Sequence, residues 1–398
     1  MDDHFTGSFT QQEPIPAEGI AAANAVMQHG RLHRYNTVAG EVAETVLLEQ
    51  EFAASTGALY CLAVASGGYA LATALRACGV KHGDKVLTNA FTLAPVPGAI
   101  AAVGAVPVFV GVTPDLLIDL DDLATKLDQA QVLLLSHMRG HICDMEKLVA
   151  ICRPANVTII EDCAHTMGAS WDNIPTGRWG RFGCFSTQTY KHINSGEGGL
   201  LISDDVEAIA RAIMLSGSYM LYETHRAAPK PEVFAQIRYE TPNISGRMDN
   251  LRAAILRPQL HGLSQQSARW NARYAVLQDG LADTPGLRLI KRDAREDFVA
   301  SSFQFLLMDW DPRAVEDVLA RCAARGVELK WFGRKDPVGF TSRYDSWHYA
   351  PSAPIPATDR VLAGIIDMRL PLTFSLDDCA LIARIIRAEV GAVWQAQK

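Results

Sequence analysis

Seven short apolar runs between residues 60 and 204, separated by stretches of helical periodicity, constrain this chain more than any other feature. They are 60-YCLAVA-65, 85-KVLTNA-90, 106-VPVFVGV-112, 131-QVLLLSH-137, 157-VTIIEDC-163, 182-FGCFST-187 and 199-GLLISD-204. Several are apolar at consecutive positions, which suits strands covered on both faces. Intervening segments such as 69-YALATALRACGV-80 and 144-DMEKLVAICRPA-155 are long enough for the crossover helices that parallel strands require. The pattern predicts an α/β domain with a mostly parallel seven-stranded sheet over residues 46–248, preceded by an N-terminal arm, 1–45. Residues 223–247 read as loop. A long helix, bent or interrupted at Pro258, is expected over 249–283, and a small α+β domain over 284–398, with strand-like 302-SFQFLLMDW-310 and helices near 312–325 and 377–390.

A net charge of −7 without a basic stripe argues against nucleic-acid or anionic-membrane partners. The eight cysteines include no Cys-x-x-Cys pair, and no histidines fall at zinc spacing, so reduced thiols and no metal are expected. No segment offers 18 uninterrupted apolar residues, and the N-terminus lacks a secretory pattern, so a soluble, cytoplasmic protein is the expectation.

The chemistry concentrates around 186-STQTYKHINSGEGG-199. Asp162 ends an apolar strand, where open α/β sheets bind ligands, and a carboxylate there calls for a partner such as a protonated heterocyclic nitrogen. Lys191 lies 29 residues further on, and its amine is able to form an imine with an aldehyde once its pKa is lowered. Ser186 and the backbone N–H groups of 66-SGGYA-70, at a helix start, are candidates for binding a dianion. An aldehyde, a ring nitrogen and a phosphate together describe pyridoxal 5′-phosphate.

The run from 161-EDCAH-165 through GEGG at 196–199 resembles the DegT/StrS-type sugar aminotransferase family, fold type I of the pyridoxal-phosphate enzymes. The resemblance extends through 136-SHMRGHICDM-145, 247-RMDNLRAAIL-256 and 369-RLPLTFSLDD-378. It implies that Lys191 carries the cofactor as a Schiff base and shuttles protons, that Asp162 pairs with the pyridine nitrogen, and that His165 lies near the ring's phenolic oxygen. Ser186 and the Ser66-Gly67-Gly68 turn are implied to hold the phosphate. This chain departs from the family at three places. Gly68 replaces a threonine. Leu93 stands where an aromatic residue commonly stacks on the ring; Phe91 is the candidate substitute, with packing into the core as the alternative. In 243-NISGR-247, Ser245 stands where the family's asparagine reaches the neighbouring subunit's phosphate, unless Asn243 is brought back by a bulge.

The implied activity is transfer of an amino group from glutamate or glutamine to a keto-sugar, cyclitol or related carbonyl acceptor, in a homodimer whose sites are shared between subunits. Two alternatives stay open: a lyase or dehydratase of the 3-amino-5-hydroxybenzoate synthase type, and a non-catalytic cofactor-binding regulator.

Overall fold

The computed structural model describes residues 3–218 and 221–398. All seven apolar runs form strands of one sheet: β1 (Tyr60–Val64), β2 (Lys85–Asn89), β3 (Val106–Val110), β4 (Val132–Ser136), β5 (Thr158–Asp162), β6 (Phe182–Ser186) and β7 (Gly199–Ser203). Their spatial order is β1-β7-β6-β5-β4-β2-β3. The pairs from β3 through β6 are parallel, whereas β7 runs antiparallel to both of its neighbours. Every residue of β4, β6 and β7 is buried, because helices cover both faces. Leu71, Leu75, Ile209 and Ile213 pack on one face, and Leu48, Phe52 and Leu256 on the other.

The strand ends that matter lie side by side. In the parallel register of β4 on β5, Ser136 is opposite Asp162, so the last residues of the two strands share one edge. A second sheet, antiparallel, is built from Arg288–Leu289, Ser302–Leu306, Ile365–Arg369 and Lys330–Trp331. Helices Pro312–Ala324 and Leu376–Ala396 flank it. Phe5 and Phe9 at the N-terminus close that core edge-on against Phe374, at 4.9 and 5.0 Å between ring centroids.

Two expectations need correction. The long helical span is broken at Gly262, between Asn250–His261 and Leu263–Leu281, and the first of these helices continues through Pro258. The Gly262 N–H, which closes the first helix, bonds to the carbonyls of Pro258 and Gln259. The stretch expected as loop contains a short helix, Phe234–Glu240, because Phe234 and Ile237, one turn apart, are both buried.

A buried ionic cluster ties the N-terminal segment to the large sheet. Arg34 donates to both oxygens of Glu49 at 2.8 Å, the Ala63 N–H donates to Glu49 Oε1 at 2.8 Å, and His225 Nε2 lies 3.1 Å from Oε2. Both members of the Arg34–Glu49 pair are at most 1% exposed, so the hydrogen bonds must offset the loss of hydration.

Candidate active site

A cavity of about 690 Å³ opens at the carboxyl edge of the parallel strands. Its lining includes Ser66, Gly67, Gly68, Asp162, His165, Ser186 and Lys191, so the structure gathers seven of the expected site residues around one space.

At one wall, helix Gly67–Ala77 starts directly after β1. Ser66 is its N-cap, and its Oγ accepts the Tyr69 N–H at 3.1 Å. The N–H groups of Gly67 and Gly68 have no acceptor among the described residues and stand at the positive end of the helix. A β-carbon on Gly67 would lie 2.8 Å from the Ser186 β-carbon, so only glycine lets the helix start approach β6 this closely. At Gly68 a β-carbon would meet nothing within 4 Å. We therefore expect Gly67→Ala to weaken capture of pyridoxal phosphate about tenfold or more, and Gly68→Thr to be tolerated and to tighten it several-fold by adding one hydroxyl donor. Titrating each purified variant with the cofactor, followed by visible absorbance, checks both outcomes.

Asp162 is held from behind. Its Oδ2 accepts from Ser136 Oγ at 3.0 Å and its Oδ1 from the Ala164 N–H at 3.1 Å. Ser136 is fixed in turn by Thr92 Oγ1 at 2.9 Å and by Asn89, which takes its N–H at 2.9 Å and donates to its carbonyl at 2.7 Å. Burial pushes the Asp162 carboxyl above its ordinary value, and the Lys191 charge opposes that shift. The buried carboxylate therefore gains most from a cationic N–H donor placed in the cavity.

Lys191 sits on the loop between β6 and β7, which Thr187 and Ser195 close by backbone hydrogen bonds of 2.9 and 3.0 Å. Its Nζ lies 3.0 Å from His165 Nε2. Burial is the main cause that lowers the lysine to about 7, the Asp162 charge raises it, and Arg139 and Arg369 lower it further. Burial and the Lys191 charge also hold His165 well below the ordinary histidine value, so it is neutral at pH 7. Because only a neutral amine attacks a carbonyl, the rate of cofactor capture should rise with pH through an inflection near 7. In Asp162→Asn the inflection should move to lower pH, since the charge that raises the lysine is gone. Stopped-flow absorbance across pH 5.5–9, roughly one and a half units or more on either side of that inflection, measures it.

Phe91 is not in the site, contrary to expectation. It is 1% exposed and packs edge-on against Phe332 at 5.1 Å, in a core with Phe109 and Met138. The cavity is lined at this point by aliphatic Leu93. Asn243 and Ser245 also lie outside this chain's cavity, on an exposed segment beside β1, where the Gly246 carbonyl accepts the Ala65 N–H at 2.7 Å. Trp331 packs in the small-sheet core, and Trp347 lines the cavity.

Several lining residues carried no predicted role: Ser136, Arg139, Gln188, Tyr190, Glu197 and Arg369. Ser136 is readable in principle as the final residue of the strand before Asp162's. His137, Glu161 and Cys163 bring ligand-type atoms within 4.8 Å of one another. Both Glu161 oxygens are engaged, however, by the N–H groups of Gly177, Trp179 and Gly180 and by His137 Nε2. All eight cysteines are unpaired, and burial raises Cys163 and Cys184 well above the usual thiol value.

A doubly wound sheet with a lowered lysine and a buried carboxylate lining one cavity at its carboxyl edge defines an α/β ligand-binding site. The chain belongs to the DegT/DnrJ/EryC1/StrS aminotransferase family, whose model matches residues 15–387. It is 30% identical over 288 residues to a putative L-glutamine:3-amino-2,3-dideoxy-scyllo-inosose aminotransferase of Micromonospora echinospora. It is also 32% identical over 281 residues to the L-glutamine:2-deoxy-scyllo-inosose aminotransferase of Streptomyces fradiae. These matches cover 71% and 69% of this chain and 66% and 65% of the relatives, just under two thirds of their lengths. Among solved structures, 3-amino-5-hydroxybenzoic acid synthase superposes with a TM-score of 0.83 at 24% identity, covering 97% of this chain and 99% of that one. Helicobacter pylori PseC, an aminotransferase of pseudoaminic acid biosynthesis, gives 0.83 at 16% identity, over 98% and 100%. The fold is thus that of the type I pyridoxal-phosphate aminotransferases.

Proposed function

We propose that this protein is a pyridoxal-phosphate-dependent aminotransferase that moves an amino group from glutamine or glutamate to a keto-cyclitol or related ketone in a biosynthetic pathway. The observation that carries this reading is the placement of the Lys191 amine, beside neutral His165, in the same cavity as buried Asp162. The residues present fit the cofactor. Asp162 is a buried acceptor for a ring N–H, and the Gly67 and Gly68 N–H groups with the Ser186 hydroxyl offer donors to a phosphate.

When bound, the cofactor supplies an electron sink for the pair released as a C–H bond beside a nitrogen breaks. The protein supplies the rest. Asp162 would hold a proton on the ring nitrogen. Lys191 would hold the cofactor by its aldehyde carbon, and its amine, neutral above about pH 7, would take up and give back the proton of the donor's α-carbon. His165 would orient that amine from 3.0 Å.

Exposed Ile244 lies between Asn243 and Ser245, and exposed Tyr239 four residues before them, which suits burial by a second subunit. In such a homodimer either polar residue would reach the partner's phosphate. The unpaired cysteines suit a reducing cytoplasm. The relatives named above use L-glutamine and inosose-type ketones, which makes those the first substrates to try. Incubating the cofactor-loaded protein with glutamine and scyllo-inosose, and detecting the amino-cyclitol by mass spectrometry, tests the reading. A panel of ketones that yields no aminated product with either donor would refute it.

A further inference from the structure

Two arginines line the cavity and help to lower the Lys191 amine, yet neither is hydrogen-bonded to a group of the reaction described above. Arg139 follows β4, in the left-handed region at φ 57°, a conformation that costs a non-glycine residue on the order of 1 kcal/mol and needs outside support. That support comes from the small sheet. Arg139 Nη2 donates to Asp367 at 2.7 Å, and Gln304 donates to the other Asp367 oxygen at 2.8 Å while its own oxygen lies 2.9 Å from His141 Nε2. The side chain is 8% exposed, and its buried Nε has no partner.

Arg369 ends strand Ile365–Arg369 and stacks on the Tyr190 ring at 3.7 Å, with Phe340 at 5.7 Å. Among the described residues no carboxylate pairs with it. The cavity's own carboxylates are Asp162 and Glu197, and neither is bonded to either arginine. Lys330 lies nearby as a third cation, with Asp367 the anion set among them. The group therefore carries excess positive charge against a space open to substrate.

We propose that Arg139 and Arg369 form an anion-binding end of the substrate pocket, selecting substrates that carry a carboxylate beyond the one common to all amino acids. This deepens the proposed function and rests on it. The aromatic faces fix the plane of Arg369 and leave its N–H edge for a carboxylate. Asp367 occupies one nitrogen of Arg139 and leaves the opposite nitrogen for the ligand. A glutamate side chain and an acidic ketone acceptor present the same chemistry, so the test separates them.

The probe is glutarate, a non-reacting dicarboxylate, compared with butyrate by calorimetry on the cofactor-loaded protein. Glutarate should bind about tenfold or more tightly than butyrate, and Arg369→Gln should weaken it about 10- to 100-fold, with Arg369→Lys recovering part. Arg369 is chosen because its removal leaves no buried partner charge. If Arg369→Gln also raises KM for glutamate at least about tenfold while KM for glutamine stays nearly constant, the carboxylate belongs to the donor. If glutarate affinity depends on Arg369 and the two donors do not split, it belongs to the acceptor. Glutarate binding that equals butyrate binding, or that Arg369→Gln leaves unchanged, overturns the assignment even if amino transfer proceeds. Failure of every donor and ketone to exchange amino groups counts against the proposed function instead, and leaves the glutarate comparison readable.

Discussion

Lys191→Ala should abolish the proposed amino transfer, with an expected loss of about 10⁴-fold or more, because in that reaction one amine would both hold the carbonyl and carry the proton. The variant should remain folded. A lysine whose native value is about 7 and whose unfolded value is near 10.5 is a charge the folded state resists. Between those two pH values the unfolded chain holds a proton that the native chain does not, so stability contributed at this position rises with pH across the window and is least below about 7. Removing the charge while keeping the stem, as in Lys191→Met, should therefore raise the melting temperature of the cofactor-free protein at pH 7 by several degrees. The gain amounts to a few kcal/mol on the order-of-magnitude scale of a pKa shift, and it shrinks toward pH 10.5. Differential scanning calorimetry at pH 7 and about pH 10 checks the sign. A lysine variant that melts lower than wild type at pH 7, with a difference independent of pH, would contradict the account of a strained amine.

Asp162→Asn separates capture from chemistry. The amide oxygen keeps the Ala164 N–H, 3.1 Å away, and the amide NH2 donates to the Ser136 hydroxyl at 3.0 Å, so the site stays assembled. It cannot hold a proton on a ring nitrogen as a carboxylate does. The variant should take up pyridoxal phosphate through Lys191 and turn over about 10²- to 10³-fold more slowly, the loss falling on kcat. Single-turnover mixing with glutamine, read by absorbance, distinguishes slow proton movement from weak binding. Wild-type turnover in Asp162→Asn would remove the carboxylate from the mechanism.

Much of this architecture is legible in the sequence because the strands buried on both faces read as unbroken apolar runs. Asp162, Ser186 and Lys191 were legible for the same reason, being tied to the ends of β5 and β6 and to the loop beyond. What single-chain patterning does not encode is which strand ends meet. Ser136 supports Asp162 only because β4 and β5 are neighbours in register, and Arg139 reaches Asp367 across 228 positions of sequence. Phe91 is ambiguous in the sequence because an aromatic residue after a strand fits either a ring-stacking role or a core; Phe332, 241 residues away, captures it. Pro258 lies within a helix whose missing hydrogen bond the surrounding packing outweighs, while Gly262, four residues on, ends it. The short helix at 234–240 depends on burial of Phe234 against Tyr222, a stacked pair 4.7 Å apart that local propensity does not reveal.

If the proposed function holds, the cofactor is joined to Lys191. Borohydride reduction of the protein incubated with pyridoxal phosphate makes that link permanent, and peptide mass spectrometry then locates it. One modified lysine, Lys191, is expected at near-stoichiometric yield, with the label absent from Lys191→Ala. A label found instead on Lys330 or on exposed lysines, or full labelling that survives Lys191→Ala, would contradict it.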